Sequence, residues 1–113
     1  MSGIDGAISL DRRHIAKHLP HTSQSNRLLR RGRSAHIFND EATLLRVAQA
    51  IIEAGTYTGF ARGYYRYGLL FTDAIGVRIA PDGSTLPLFY GEVKIDAGNQ
   101  YHPVPRTRSS EEE

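Results

Sequence analysis

The pattern of hydrophobic and polar positions predicts one long helix in the middle of the chain. An apolar stripe recurs at helical spacing at Leu44, Val47, Ala48 and Ile51. Polar and acidic residues at 39–41 precede the stripe and suit a helix N-terminus, and Gly55 follows it as a natural stop. The pattern therefore predicts a helix from about Asp40 to Ala54.

Two shorter helices are predicted before this one. Asp11 can cap a helix over residues 11–19, and Pro20 would stop it. A second helix, capped at residue 25 or 26, would continue to Arg31 and end at Gly32.

After Gly55 the chain becomes rich in Thr, Tyr, Phe, Val and Ile, which favours strands. The predicted strands lie near Tyr64–Thr72, Ala74–Ala80, Leu86–Ile95 and Gln100–Arg106. Turn-forming residues at 81–84 and 96–99 separate strands, and closely spaced strands with tight turns predict an antiparallel meander.

These elements predict a single α+β domain over residues 11–106, with flexible tails at 1–10 and 107–113. Two or three N-terminal helices would pack on a four-stranded antiparallel meander sheet. The long helix would cover one sheet face, which leaves the other face free to carry polar residues.

Composition and charge narrow the range of functions. The 113 residues include no cysteine, which excludes disulfides and thiolate chemistry. The formal net charge is only +2, but residues 11–33 are rich in arginine and histidine and contain Asp11 as their one acid. A basic segment of this kind attracts polyanions, with phosphates as obvious candidates; a solvated helix face or a dock for an acidic partner is the alternative.

His14, His18 and His21 allow three interpretations. On a helix, His14 and His18 share one face, so the three side chains could bind a metal ion. One histidine could instead pack in the core while the others are solvated. The third interpretation is acid–base catalysis, since cleavage of RNA through its 2′-hydroxyl needs one base and one acid.

The last two predicted strands carry further candidates. Glu92 and Lys94 point the same way in a strand, so Glu92 could be a general base, or the two could form a plain surface pair. His102 and Arg106 share one strand face and could bind an anion, while Tyr101 faces the other way. The aromatic and arginine residues of 60–67 could stack bases, but they also suit an ordinary half-buried strand, which we favour.

Several short motifs resemble a bacterial toxin family. The segments Arg13–Leu19, Leu28–Arg31 and Ser34–Asp40 resemble the RNase A-like domains at the C-termini of contact-dependent growth-inhibition and related polymorphic toxins. That family opens with His-x-x-x-Lys-His-Val, continues with a Leu-x-x-Arg helix, and introduces a long helix with Ser-x-Phe-x-Asp. Its closing Thr-x-Tyr-Pro falls on Gln100–Pro103, where this chain has glutamine for threonine and histidine for tyrosine. Residues 90–94 and 101–106 also resemble, more loosely, the barnase, colicin and RelE-type ribonucleases.

The resemblance implies metal-independent cleavage of RNA that leaves a 2′,3′-cyclic phosphate. It makes His18 the catalytic histidine and Arg30, or Arg31 with a small shift, the catalytic arginine. We therefore expect an endoribonuclease of bacterial toxin type without a metal or other cofactor. The expected catalytic residues are His18, His102, Arg30 and Glu92, and the expected phosphate or RNA ligands are Arg31, Lys94, Tyr101, Arg106 and His14.

The expected partners are RNA and an immunity protein. No apolar run is long enough for a membrane span, so no membrane partner is expected. The expected site of action is cytoplasmic, in a free protein or in one secreted or delivered as part of a larger chain. The alternatives are a non-catalytic module that binds nucleic acid or protein, and a metal-binding regulatory domain.

Overall fold

The computed structural model describes residues 7–107, so most of both predicted tails lies outside the described residues. The two α-helices are α1 (Ser23–Arg30) and α2 (Glu41–Ala54). The eight strands are β1 (Ser9–Leu10), β2 (Ala35–Phe38), β3 (Thr56–Ala61), β4 (Tyr64–Leu70), β5 (Gly76–Ile79), β6 (Thr85–Leu88), β7 (Tyr90–Ile95) and β8 (Gln100–Arg106). β1 falls within the segment that was predicted as an N-terminal tail.

The strands form two sheets, and this contradicts the predicted fold. The larger sheet has the order β1-β8-β7-β4-β3, and the smaller has the order β2-β5-β6. All neighbours are antiparallel except β1 and β8, which are parallel. Strands hold 40% of the described residues and helices 28%, so the fold is sheet-rich. The prediction of helices packed on a single four-stranded meander was wrong.

The predicted strand Leu86–Ile95 shows why the prediction failed. The chain leaves the smaller sheet after Leu88, passes through Phe89, and enters the larger sheet as β7. The carbonyl groups of Leu88 and Phe89 accept hydrogen bonds from Ile75 and Phe71, both at 2.8 Å, which fixes the crossing. Pro87 and Gly91 interrupt this run, but no cluster of turn residues marks the crossing, so the division between two sheets had no clear local signal.

The central helix α2 confirms its prediction. The side chain of Asp40 caps it by accepting a hydrogen bond from the backbone N–H of Thr43 at 2.7 Å. Its apolar stripe packs with Val93 and Ile95 of β7 in the hydrophobic core. Gly91 permits this approach, because a Cβ atom there would lie 2.8 Å from Val47 Cγ1. The helix therefore covers one face of the larger sheet, as the stripe predicted.

The N-terminal helices differ from their predictions. Residues 11–19 form two 3₁₀ turns, Arg12–His14 and Ala16–His18, instead of one helix. The backbone N–H of Asp11 donates to Tyr101 at 2.7 Å, which ties this segment to β8 and makes the chain turn at once. α1 begins earlier than predicted, because Thr22 caps it through a hydrogen bond from Ser25 at 3.0 Å.

Candidate active site

The larger sheet carries polar residues on the face that points away from α2. Arg66, Lys94 and His102 lie directly opposite one another on β4, β7 and β8. Because side chains alternate along a strand, Glu92 and Arg106 project from this same face. We call the five residues the polar sheet face. The predicted orientations on β7 and β8 are therefore confirmed.

Glu92 is a buried counter-ion and not an accessible base. Its Oε1 accepts hydrogen bonds from Arg66 Nη1 at 3.3 Å and from Arg106 Nη1 at 3.4 Å. The side chain has no exposed surface. A buried carboxylate between two guanidinium groups compensates their charge and fixes their positions. A substrate hydroxyl could not reach it, so the geometry favours a positioning role for Glu92 over the predicted role of general base.

His102 is almost fully buried beneath other rings. It exposes 3% of its surface. Its ring stacks on His14 with a centroid distance of 4.7 Å, and it meets the Tyr64 ring edge-on at 5.4 Å. Burial, and then the nearby His14 and Lys94, lower the pKa of His102 to about 3. The imidazole is therefore neutral at neutral pH.

His18 is held in one orientation by a backbone carbonyl group. Its Nδ1 lies 2.8 Å from the carbonyl oxygen of His36, and because that oxygen can only accept, Nδ1 donates. The neutral ring then carries its lone pair on Nε2. Burial lowers the pKa of His18 to about 4, although the hydrogen bond to His36 opposes this shift. His18 thus has the tautomer and the charge of a general base at neutral pH.

His18 and the last strand meet in one cavity of about 190 Å³. The first half of the chain contributes His18 and His36, and the end of the chain contributes residues 104–107, including Arg106. None of the described residues that line the cavity is acidic. Arg78 lies beside it, since it pairs directly with His36 across β2 and β5. The cavity therefore lies where the smaller sheet approaches the end of β8, and its charge suits an anion.

Lys94 is a partly desolvated cation on the polar sheet face. Burial is the main cause that lowers its pKa to about 8, and Arg66 and Arg106 lower it further while Glu92 opposes them. Its Nζ lies 5.7 Å from the centroid of the Tyr64 ring. Most Lys94 side chains are still protonated at neutral pH, so this lysine can bind a phosphate.

Other predicted residues lie elsewhere. Arg30 and Arg31 are exposed at the C-terminal end of α1 and are not among the residues that line the cavity. Tyr101 packs against the hydrophobic core. Within residues 7–107, no group of three or more His, Cys, Asp or Glu side chains could hold a metal ion, so His14, His18 and His21 do not converge. Neither described helix is long and apolar enough to cross a membrane.

Sequence reasoning missed His36, Arg78 and the buried role of Arg66. His36 lies alone among apolar residues of β2, and no partner near it in sequence marks it as functional. Arg66 appeared within an ordinary strand pattern, although burial of a lone arginine always requires a partner such as Glu92. The missing signal for Arg66 was therefore its pairing with a strand far along the chain.

The structure defines a two-sheet domain with a cavity lined by histidine and arginine. The chain belongs to the family described as a domain of unknown function (DUF6972), whose profile matches residues 6–110. Neither a curated protein nor a solved structure matches the chain. Family membership therefore leaves the activity open, and the geometry of the site is the basis for assigning one.

Proposed function

We propose that this domain is a metal-independent endoribonuclease that cleaves RNA through the 2′-hydroxyl. One observation carries the proposal: His18 and Arg106, from opposite ends of the chain, line the same cavity. A base and a cation that face one phosphate are two of the groups that this reaction needs, and an acid for the leaving oxygen is the third. The resemblance to RNase A-like toxin domains supports the same reaction and the same histidine.

In this mechanism His18 accepts the proton of the 2′-hydroxyl through Nε2. Its hydrogen bond to the His36 carbonyl group keeps that nitrogen unprotonated and correctly oriented. Arg106 binds the phosphate and stabilises the charge that develops on it. Glu92 holds Arg106 in place, and Lys94 extends the positive charge along the sheet face toward the rest of the RNA.

The proposal keeps RNA as the substrate and an immunity protein as the protein partner of a toxin acting in the cytoplasm. The exposed Arg30 and Arg31 fit an RNA-contacting surface away from the cavity better than a catalytic role. Arginine at such positions would contribute affinity that falls as salt concentration rises.

The test is incubation of the purified domain with total RNA and with a defined RNA oligonucleotide in EDTA. We expect cleavage products with 2′,3′-cyclic phosphate ends, and no cleavage of the 2′-deoxy oligonucleotide. His18→Asn should reduce the rate at least about 100-fold. His21→Asn is the matched control, because His21 is an exposed histidine outside the cavity. No cleavage by the wild type, or equal rates for the two variants, would refute the proposal.

The burial of His102 favours a second function, a non-catalytic module that binds nucleic acid. At 3% exposure, His102 offers little surface to a substrate, which leaves one fewer proton donor than predicted. A binding module would need the cationic cavity but no second histidine within reach. In the same experiment it would bind RNA with a strong salt dependence and leave the RNA intact.

A further inference from the structure

We propose that His36 is the general acid that works with His18 in the cavity, so that the smaller sheet supplies half of the catalytic pair. This inference rests on the proposed ribonuclease function and goes beyond it, because it assigns a catalytic residue that neither the motifs nor the resemblance indicated. It also replaces His102, the predicted partner, with a histidine that reaches the substrate.

The position of His36 suits a general acid. His18 and His36 both line the cavity of about 190 Å³, together with Arg106. His36 is half-buried, whereas His102 exposes only 3% of its surface and lies under the His14 ring. A general acid must come within hydrogen-bond reach of the leaving oxygen. Of the two histidines, His36 is the one that lines the cavity in which the phosphate would bind.

A hydrogen bond also connects His36 to His18. The carbonyl oxygen of His36 holds Nδ1 of His18 at 2.8 Å, so one residue fixes the base through its backbone and contributes its own side chain to the same cavity. β2 is paired to β5 along its whole length, which limits the movement of His36. The ring of His18 and the backbone of His36 are therefore held together, which keeps both side chains at the same cavity for proton transfer.

The charges around His36 would help it to carry a proton when a phosphate binds. The groups that face His36 are Arg78 on β5, Arg106 on β8 and His18, and none of them is acidic. Burial, and then these two arginines, lower the pKa of His36. A bound phosphodiester brings a negative charge between the arginines and reverses their effect. Substrate binding would therefore favour the protonated His36 that an acid must be.

Two protons move in the proposed reaction, while one bond to phosphorus forms and another breaks. His18 Nε2 takes the proton from the 2′-hydroxyl while the 2′-oxygen forms a bond to phosphorus. The bond from phosphorus to the 5′-oxygen breaks, and that oxygen takes a proton from His36. The products are a 2′,3′-cyclic phosphate and a 5′-hydroxyl, with His18 protonated and His36 neutral.

The test uses two substrates that differ in their need for an acid. One is an RNA oligonucleotide, and the other is a nucleoside 3′-(4-nitrophenyl phosphate), whose leaving group departs without a proton. The nucleoside is the one whose RNA linkage the wild type cleaves fastest. His36→Asn should lose at least about 100-fold in kcat on RNA but retain most of the wild-type kcat on the nitrophenyl ester. His18→Asn should lose activity on both.

A pH profile gives an independent readout that a structural role would not change. The wild type should lose kcat on RNA as the acid is deprotonated, before the pH reaches the pKa of Lys94 at about 8, and His36→Asn should lack this earlier decline. His36→Gln repeats the test if His36→Asn folds poorly, and far-UV circular dichroism checks both. His21→Asn is the control histidine.

The outcomes separate the two proposals. If the wild type cleaves neither substrate, the ribonuclease function fails and this inference fails with it. If the wild type cleaves RNA and His36→Asn cleaves it equally well, or loses both substrates alike, only the assignment of His36 is overturned. If His102→Phe loses activity on RNA but retains it on the nitrophenyl ester, and His36→Asn does not, then His102 is the general acid.

Discussion

Acidification should destabilise this domain strongly between pH 7 and pH 5, because His18 and His102 are buried in their neutral forms. Their pKa values in the folded protein are about 4 and about 3, below the ordinary value of 6.5. In this window the unfolded chain binds protons that the folded chain does not bind. The stability they contribute is therefore present above pH 6.5 and is lost as the pH falls.

The magnitude follows from the unfolded state alone. Protonation of each histidine in the unfolded chain lowers the free energy of unfolding by about 1.4 kcal/mol for every pH unit below 6.5. At pH 5 this amounts to about 2 kcal/mol for each histidine. Two histidines give about 4 kcal/mol, a large part of the 5–15 kcal/mol that is typical of small domains. The carboxylates contribute little above pH 5, since the lowered pKa values of Asp11, Asp40 and Asp82 affect stability only as the pH falls through about 4.

The surroundings of His102 explain why its pKa is lowered in the folded protein. The groups whose charges lower its pKa are all basic. They are His14, Lys17, His18 and Lys94, with the Tyr64 ring against its edge. A proton on His102 would thus be buried among positive charges.

The assay is urea unfolding at pH 7, 6 and 5, followed by tyrosine fluorescence and circular dichroism. The free energy of unfolding of the wild type should fall by about 4 kcal/mol from pH 7 to pH 5. In His102→Phe, which keeps a ring but cannot titrate, it should fall by about 2 kcal/mol. His21→Asn should match the wild type, because His21 is exposed. Equal free energies of unfolding at pH 7 and pH 5, or the same loss in His102→Phe as in the wild type, would refute the reasoning.

Three further predictions concern stability at neutral pH. Glu92→Gln should cost about 3–5 kcal/mol in urea unfolding, because it leaves two buried guanidinium groups without their counter-ion. Gly76→Ala should lower the thermal midpoint, since its Cβ would lie 2.0 Å from a backbone oxygen of β2. Gly98→Ala is the control, because its Cβ would meet its nearest atom at 3.4 Å, and it should not lower the thermal midpoint. Equal midpoints for Gly76→Ala and Gly98→Ala would contradict the reasoning. Asp40→Ala should cost about 1 kcal/mol in urea unfolding by removing the cap of α2.

The sequence predicted those features that depend on local signals. α2 carries its cap, its apolar stripe and its stop within one segment, and the structure agrees with all three. The two faces of β7 and β8 were also predicted, because alternation follows from strand geometry alone. Two prolines in one strand favour an edge position. β8 lies between β1 and β7, but β1 pairs only with Gln100 and Tyr101, which leaves the prolines beyond its reach.

The division into two sheets depends on partners that local signals do not reveal. β5 and β6 form the expected hairpin around the turn at 81–84, but their neighbour is β2, which precedes the long helix. β2 has four residues, and β3 has no charged residue and a bulge at Tyr57–Gly59. Such strands cannot be identified from their own residues, and only the strands that pair with them reveal them.

The site was predicted only in part for the same reason. His18, Lys94 and Arg106 were chosen from charge and resemblance, and the structure brings them to one side of the fold. His36 could not be chosen, because its role depends on the smaller sheet reaching the end of β8. Glu92 was considered as a possible general base, and it would not have been chosen for that role if its two arginine partners had been known.

The polar sheet face is costly to fold, and its position explains how the cost is met. Three cations, Arg66, Lys94 and Arg106, share a single carboxylate there, and their mutual repulsion contributes to the lowered pKa of Lys94. The same strands offset this cost on their other face, where Val93 and Ile95 pack in the core beneath α2. A binding surface with excess positive charge lowers stability unless an anion occupies it. The helix packed on one face therefore allows the other to remain charged, as the phosphate ligand that we propose would require.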